Sequence, residues 1–214
     1  SACEGETIDP VRASKSIRLT AEIEKVKTRL SGSTWEKGDV IGVYMTRSGF
    51  PLSPSALANN VNYVYDESGT FQPQNESKAI YLPFNGENVD FIGYYPYRED
   101  ITNFIYPIDL TVQSNQAALD FMYSSNVTAR NMTNPNVRMK FSHRLSKIVL
   151  QIAHYRNMDL SDLSVILAKV PTKATFNLVD GSLTTSTGTE DIVFNINREG
   201  TLAEATVLPG TDLS

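Results

Sequence analysis

Apolar and polar residues alternate strictly along residues 17–23. Ile17, Leu19, Ala21 and Ile23 fall on one side, and Arg18, Thr20 and Glu22 on the other. Successive side chains of a strand point to opposite faces, so this period of two predicts a half-buried β-strand. Residues 137–143 repeat the pattern, with Val137, Met139 and Phe141 opposed to Arg138, Lys140 and Ser142. Residues 40–45 are almost entirely apolar, which predicts a central strand covered on both faces.

Shorter runs at 62–65, 69–71, 79–82, 89–95, 105–110, 147–153, 164–170, 174–179, 182–184, 192–196 and 205–208 also read as strands. Between them stand turn residues. Gly38-Asp39 precedes the apolar run, Asn85-Gly86 separates 79–82 from 89–95, and Asp180-Gly181 predicts a hairpin. Residues 49–60, with Pro51 and Pro54, are expected to be a loop, and 97–120 a long irregular connection around the strand at 105–110. Helical periodicity is confined to about one turn at 158–163. Many short strands at close spacing predict an all-β sandwich, with a break at 144–146.

Composition narrows the function. The chain has 214 residues, 19 Lys plus Arg against 24 Asp plus Glu, and a net charge of -5. That balance argues against nucleic acid as a partner, since neutralising many phosphates needs a concentrated basic surface. The basic stretch Arg138, Lys140, His143, Arg144 and Lys147 reads as the solvated face of a strand, with a polyanion patch as the sharper alternative. No apolar run reaches the roughly 18 residues of a membrane-spanning helix.

Catalytic constellations are missing from the pattern. The two histidines, His143 and His154, sit at strand ends, and no G-x-S-x-G elbow, P-loop or cysteine–histidine zinc cluster occurs, so neither a metal nor a cofactor is expected. Carboxylates are plentiful enough that a glycosidase pair remains a third reading. The tyrosines of Tyr94-Tyr95-Pro96-Tyr97 could stack on a sugar, although alternation sends at least one into the core.

The single cysteine lies in Ser1-Ala2-Cys3, followed by the polar, irregular residues 4–16. Small residues before a cysteine and a polar tether after it look like the end of a bacterial lipobox, which marks Cys3 as the lipidation candidate. On that reading the chain is exported.

Several segments, in order, resemble the fimbrillin family, the lipoprotein-derived pilins and pilus-tip proteins of Bacteroidales. They are Thr28-Arg29-Leu30-Ser31-Gly32 leading to Trp35-Glu36-Lys37-Gly38-Asp39-Val40; Val89-Asp90-Phe91-Ile92-Gly93-Tyr94-Tyr95-Pro96-Tyr97; Leu119-Asp120-Phe121-Met122-Tyr123; Phe141-Ser142-His143-Arg144-Leu145; and Ala174-Thr175-Phe176-Asn177-Leu178. The resemblance spans about residues 17–210.

It implies two tandem transthyretin-like β-sandwich domains. Residues 1–16 would be the tether, 17–145 the N-terminal domain and 146–214 the start of a second domain whose remaining strands, with the usual donor strand, are not in this chain. It also implies an outer-membrane lipoprotein that becomes a shaft or tip subunit of a surface fimbrium. In polymerising members, cleavage after an arginine frees the first strand, and a strand from another subunit fills the groove. Arg12, in the polar tether just before the first strand, is the best processing candidate here, with Arg29 the other, whose cleavage would release residues 17–23 entirely; Arg18 lies within the first strand, and the sequence does not choose among them. A host protein or glycan is the expected further ligand. A monomeric surface adhesin or glycan-binding lipoprotein is the alternative.

Overall fold

The computed structural model describes residues 16–25, 34–153, 159–160 and 162–213. Its first eight strands are β1 (Arg18–Ile23), β2 (Val40–Arg47), β3 (Ala58–Tyr65), β4 (Phe71–Pro73), β5 (Val89–Tyr95), β6 (Ile105–Asp109), β7 (Met122–Arg130) and β8 (Asn136–His143). Seven of them form one continuous sheet in the order β1-β4-β3-β2-β5-β7-β8, which closes on itself into a barrel. The expectation for this stretch was a two-sheet sandwich; the hydrogen bonding instead runs all the way round. The closing pair, β1 and β8, is parallel, with Leu19 beside Val137, Ala21 beside Met139 and Ile23 beside Phe141. These are the two most regularly alternating segments of the sequence, and their apolar faces stay in step along the pair.

The barrel interior holds Leu19, Ile41, Val43, Tyr63, Phe71, Phe91, Val137, Met139 and Phe141, all essentially inaccessible. Trp35 closes one end. Its ring meets Phe71, Tyr95 and Phe141 edge-on at centroid distances of 5.1, 5.4 and 5.2 Å. The preceding expectation for Gly38-Asp39 holds: Gly38 adopts φ +90°, and Asp39 N donates to Glu36 O at 3.0 Å just before β2 begins.

Strand β2 is apolar on both sides because two cores flank it. Ile41, Val43 and Met45 belong to the barrel interior, whereas Tyr44 belongs to a second cluster outside it. That cluster joins Tyr44 and Tyr94 to Tyr106, Phe121 and Phe176. Its outer wall is a three-stranded sheet, β12-β11-β6, of β6, β11 (Lys173–Asn177) and β12 (Ser182–Thr185). Strands β11 and β12 are the hairpin expected around Asp180-Gly181, with Gly181 at φ +74°. Strand β6 pairs along its whole length with β11, so this sheet crosses residue 145.

A third cluster, around Val170, Ile192, Ala203 and Ala205, lies among five further strands. These are β9 (Ser146–Gln151), β10 (Ile166–Val170), β13 (Glu190–Val193), β14 (Asn195–Ile196) and β15 (Leu202–Val207). They make only the open sheets β14-β15-β9 and β10-β13. Gln113 ties this region to the rest: its buried amide donates to Thr206 O at 2.9 Å and accepts from Thr206 N at 2.8 Å, imitating a strand partner.

Three local expectations change. Residues 79–82 form an isolated bridge, Tyr81 with Ser16, rather than a strand paired to β5. The loop at 49–60 ends early, since β3 begins at Ala58. The connection 97–120 contains a four-residue helix, α1 (Gln116–Leu119), capped by the Asn115 side chain. Strand β7 follows it, where alternation gave no warning. The turn expected at 158–163 falls partly outside the described residues, at 158 and 161; within them Leu163 N donates to Leu160 O.

Candidate functional site: the seat of β1

Strand β1 occupies the seam of the barrel. On one side it has six residue pairs with β8. On the other it has a single pair with β4, Leu19 with Phe71. The rest of that edge is held by unlike partners. Ile17 N donates to Ile80 O at 3.0 Å, Ser16 bridges Tyr81, and the Trp35 indole donates to Ala21 O at 3.0 Å. Ile80 is itself anchored, because its N–H donates to the Tyr63 hydroxyl at 2.9 Å. Burial pushes that phenol up to about 12 despite the hydrogen bond, so it stays protonated near neutral pH.

The inward face of β1 carries the affinity. Leu19 is 1% exposed and Ile17 8%. Burying each stabilises by about 1.5–3 kcal/mol. The outward face adds little: Lys140 Nζ meets Glu22 Oε1 at 3.3 Å, but both side chains are more than half exposed. Such pairs are worth about 0–1 kcal/mol.

Without β1, the β8 edge, Ile80 O and the Trp35 N–H would all lose partners beside an opened apolar interior. An edge of unpaired peptide groups over apolar side chains is a template for another strand. Geometrically, the seat would take a short extended segment with apolar residues at every second position, running parallel to β8.

The residues singled out from sequence divide clearly. Cys3, Arg12, Arg29 and His154 lie outside the described residues. Arg18 is exposed on β1 and points away from the interior. The basic stretch is dispersed: Lys140 pairs with Glu22, Lys147 Nζ with Glu204 Oε1 at 3.0 Å, and Arg144 Nη2 donates to Gly181 O at 3.0 Å while stacking over Tyr123 and Phe176. His143 Nδ1 lies 2.6 Å from Asp120 Oδ1. Lys140 and Lys147 thus lie on solvated faces, whereas His143 and Arg144 are partly buried against other elements.

Of the tyrosine run, Tyr94 is fully buried, with its hydroxyl donating to Asn60 Oδ1 at 2.7 Å, and Tyr95 packs on Trp35 while donating to Asp39 Oδ1 at 3.1 Å. Tyr97 lines a cleft. Among the described residues, no three His, Cys, Asp or Glu side chains are grouped to hold a metal, and no helix is long and apolar enough to cross a membrane. Sequence reasoning missed Trp35's bond to β1 and the Ile80 anchor, because both partners are far away in sequence.

Comparison with known proteins gives this architecture a family. The fimbrillin-like family profile matches residues 28–214, and the chain belongs to that family. It is 34% identical over 219 residues to Fim1C of Bacteroides uniformis, a candidate fimbrium subunit, covering 96% of this chain and 69% of that protein. The crystal structure of a candidate cell adhesion protein from Bacteroides uniformis superposes with a TM-score of 0.73 at 31% identity, over 92% of this chain and 77% of that one. A candidate cell adhesion protein from Bacteroides ovatus shares the fold, with a TM-score of 0.68 at 22% identity over 92% of this chain and 79% of that one.

Proposed function

We propose that this chain is a structural subunit, shaft or tip, of a bacterial surface fimbrium, and that it joins other subunits by exchange of β1 for a strand of a neighbour. The observation that carries this is the uneven hold on β1: a full parallel ladder to β8 but a single strand pair on the β4 side. A strand that closes a barrel and is pinned mainly by apolar burial can be replaced by an equivalent strand at small net change in contacts. Membership of the fimbrillin-like family supports the same role.

On this reading the two processing candidates differ in effect, and Arg29 is preferred over Arg12. Cleavage after Arg12 leaves Arg18–Ile23 attached to the body of the chain, whereas cleavage after Arg29 severs them from it. Arg29 is therefore the cut that empties the seat. Lipid on Cys3 would hold the exported precursor at the outer membrane until that cut, about 0.8 kcal/mol per buried CH₂ supplying the anchor. Residues 17–145 and 146–214 serve in this reading as two units, the first contributing β6 to a sheet of the second.

The test is digestion with an arginine-specific protease followed by mass analysis and size-exclusion chromatography. Release of a fragment containing residues 18–23, with the remainder forming polymers, is the expected result. A clipped protein that stays monomeric at high concentration overturns the exchange mechanism, and an Arg29→Ala chain that polymerises as fast as the parent overturns the choice of cut.

A further inference from the structure

A cleft opens on the flank of the barrel where β3 and β4 part. The two strands pair only from Tyr63 with Pro73 to Tyr65 with Phe71. After Gln74 the chain swings out through a turn at Glu76–Lys78 and returns at Ile80. The first half of β3 is thus left facing a cleft of about 700 Å³. That lies within the range of about 300–1,000 Å³ in which small-molecule sites fall.

The lining combines two kinds of surface. Amide side chains of Asn59, Asn62 and Gln74 supply paired donors and acceptors, and Tyr81 and Tyr97 supply ring faces. Met45 and Ile80, whose side chains pack in the barrel interior, border the cleft. Asn62 and Gln74 orient each other: Gln74 N donates to Asn62 O, and Asn62 Nδ2 donates to Gln74 Oε1. Each amide group carries one oxygen and two N–H donors. The pair therefore keeps the Asn62 oxygen and the Gln74 NH₂ for a ligand. Tyr81 is 46% exposed.

The charges decide the class of ligand. One cation, Lys78, and one anion, Glu99, line the cleft, so it carries no net field to select an anion or a cation. An added strand would need a regular edge. Asn60 adopts φ +47°, and the β2–β3 register shifts between Val43 and Met45, so the edge is interrupted just there.

We propose that this cleft binds a neutral oligosaccharide. Hydroxyl pairs both donate and accept, as the Asn62–Gln74 pair can, and the C–H face of a sugar ring is the apolar partner that an exposed tyrosine ring takes. This goes beyond assembly by strand exchange and stands whether or not the subunit polymerises.

The experiment is a glycan array carrying mammalian and bacterial glycans, both neutral and sialylated or sulfated, probed with the uncleaved chain. The affinity for the strongest neutral binder is then measured by titration. Retention of neutral glycans is expected, and the set retained tells host from bacterial sources. Tyr81→Ala and Gln74→Ala should each weaken binding roughly tenfold, the ratio that a modest stacking or hydrogen-bond loss produces. Tyr81→Phe keeps the ring and should bind as the parent does. So should Phe84→Ala, at a nearby residue that is 86% exposed and outside the cleft. Unfolding temperatures identify any variant that has lost its fold.

An array with no neutral binder overturns the proposal, as does retention of anionic glycans alone. Unchanged binding by a folded Tyr81→Ala chain has the same force. Displacement of the glycan by an extended peptide that shifts the Ala58–Val61 amides would assign the cleft to a strand instead. Polymerisation is not read in this experiment, so failure of strand exchange leaves its outcome untouched.

Discussion

The barrel and the region after it differ in how their sheets end. In the barrel every strand has neighbours on both sides, and its interior is sealed by Trp35. In the later sheets β9, β10, β12 and β13 each have a strand on one side only. Side chains follow suit. Ile148, Leu150 and Ile152 alternate toward the third core, yet Leu150 remains 40% exposed, and the paired residues Ile166 and Val193 are 55% and 53% exposed. Closure removes edges and with them the exposed apolar rows that invite another chain. Among the described residues, the barrel presents no free strand edge, whereas the later sheets do.

The sharpest test contrasts two apolar truncations. Phe141→Ala, at a fully buried ring packed on Trp35, should destabilise by about 3–5 kcal/mol, as such deletions do in sealed cores. Leu150→Ala should cost no more than about 1 kcal/mol, close to the range for exposed positions. Urea denaturation reads both. Equal losses would mean that the two regions are equally sealed, and the contrast would fall.

Gly42→Ala probes the wall between the barrel and the second cluster. A Cβ there would enter the Tyr94 ring. Overpacking of this kind destabilises by about 1–3 kcal/mol. A thermal melt indistinguishable from the parent's would show that Tyr94 can yield, and that the wall is softer than its burial suggests.

Asp90 pins the rim of the barrel. It is partly buried, which alone would raise its pKa. Its carboxylate nevertheless lies below the usual value, because it accepts from the Ser48 hydroxyl at 2.5 Å, from Ala129 N at 2.9 Å and from Gly49 N at 3.2 Å. A carboxyl whose folded pKa is depressed stabilises fully above its unfolded value near about 4, and loses that contribution as pH falls through the folded value. Asp90→Ala should therefore cost about 1–3 kcal/mol at pH 7, with the gap to the parent shrinking as the solution is acidified below about pH 4. A gap that does not change with pH would remove the carboxylate from the account.

The smallest effect belongs to the open sheets. Lys147→Ala breaks the surface pair with Glu204 and should change stability by no more than about 1 kcal/mol, less in high salt. Double-mutant analysis with Glu204→Ala measures it.

Much of the fold was legible locally. The alternation at 17–23 and 137–143, the apolar run at 40–45 and the Asp180-Gly181 hairpin all appear where the pattern puts them. Strand β7 was not legible. Its pairing with β5 shifts register twice and Ala129 adopts φ +53°, so its side chains do not alternate cleanly. Residues 79–82 look like a strand because they are apolar; they are apolar because Ile80 and Leu82 fill the barrel from an irregular segment with a single bridge. Alternation already sent at least one of Tyr94 and Tyr95 into the core; both pack there, and Tyr97 lines a cleft.

The candidate site was half legible. That residues 17–23 form a strand with one apolar face follows from local periodicity, which needs no knowledge of the rest of the chain. That this strand lies parallel to β8, meets β4 at one residue and takes an indole hydrogen bond in place of a ladder does not follow, because a strand's edges carry no sequence record of what covers them. The sequence determined the strand, its inward side chains and the family motifs around it. The tertiary structure decided that it is the piece that closes the barrel, since closure depends on contacts between residues more than a hundred positions apart.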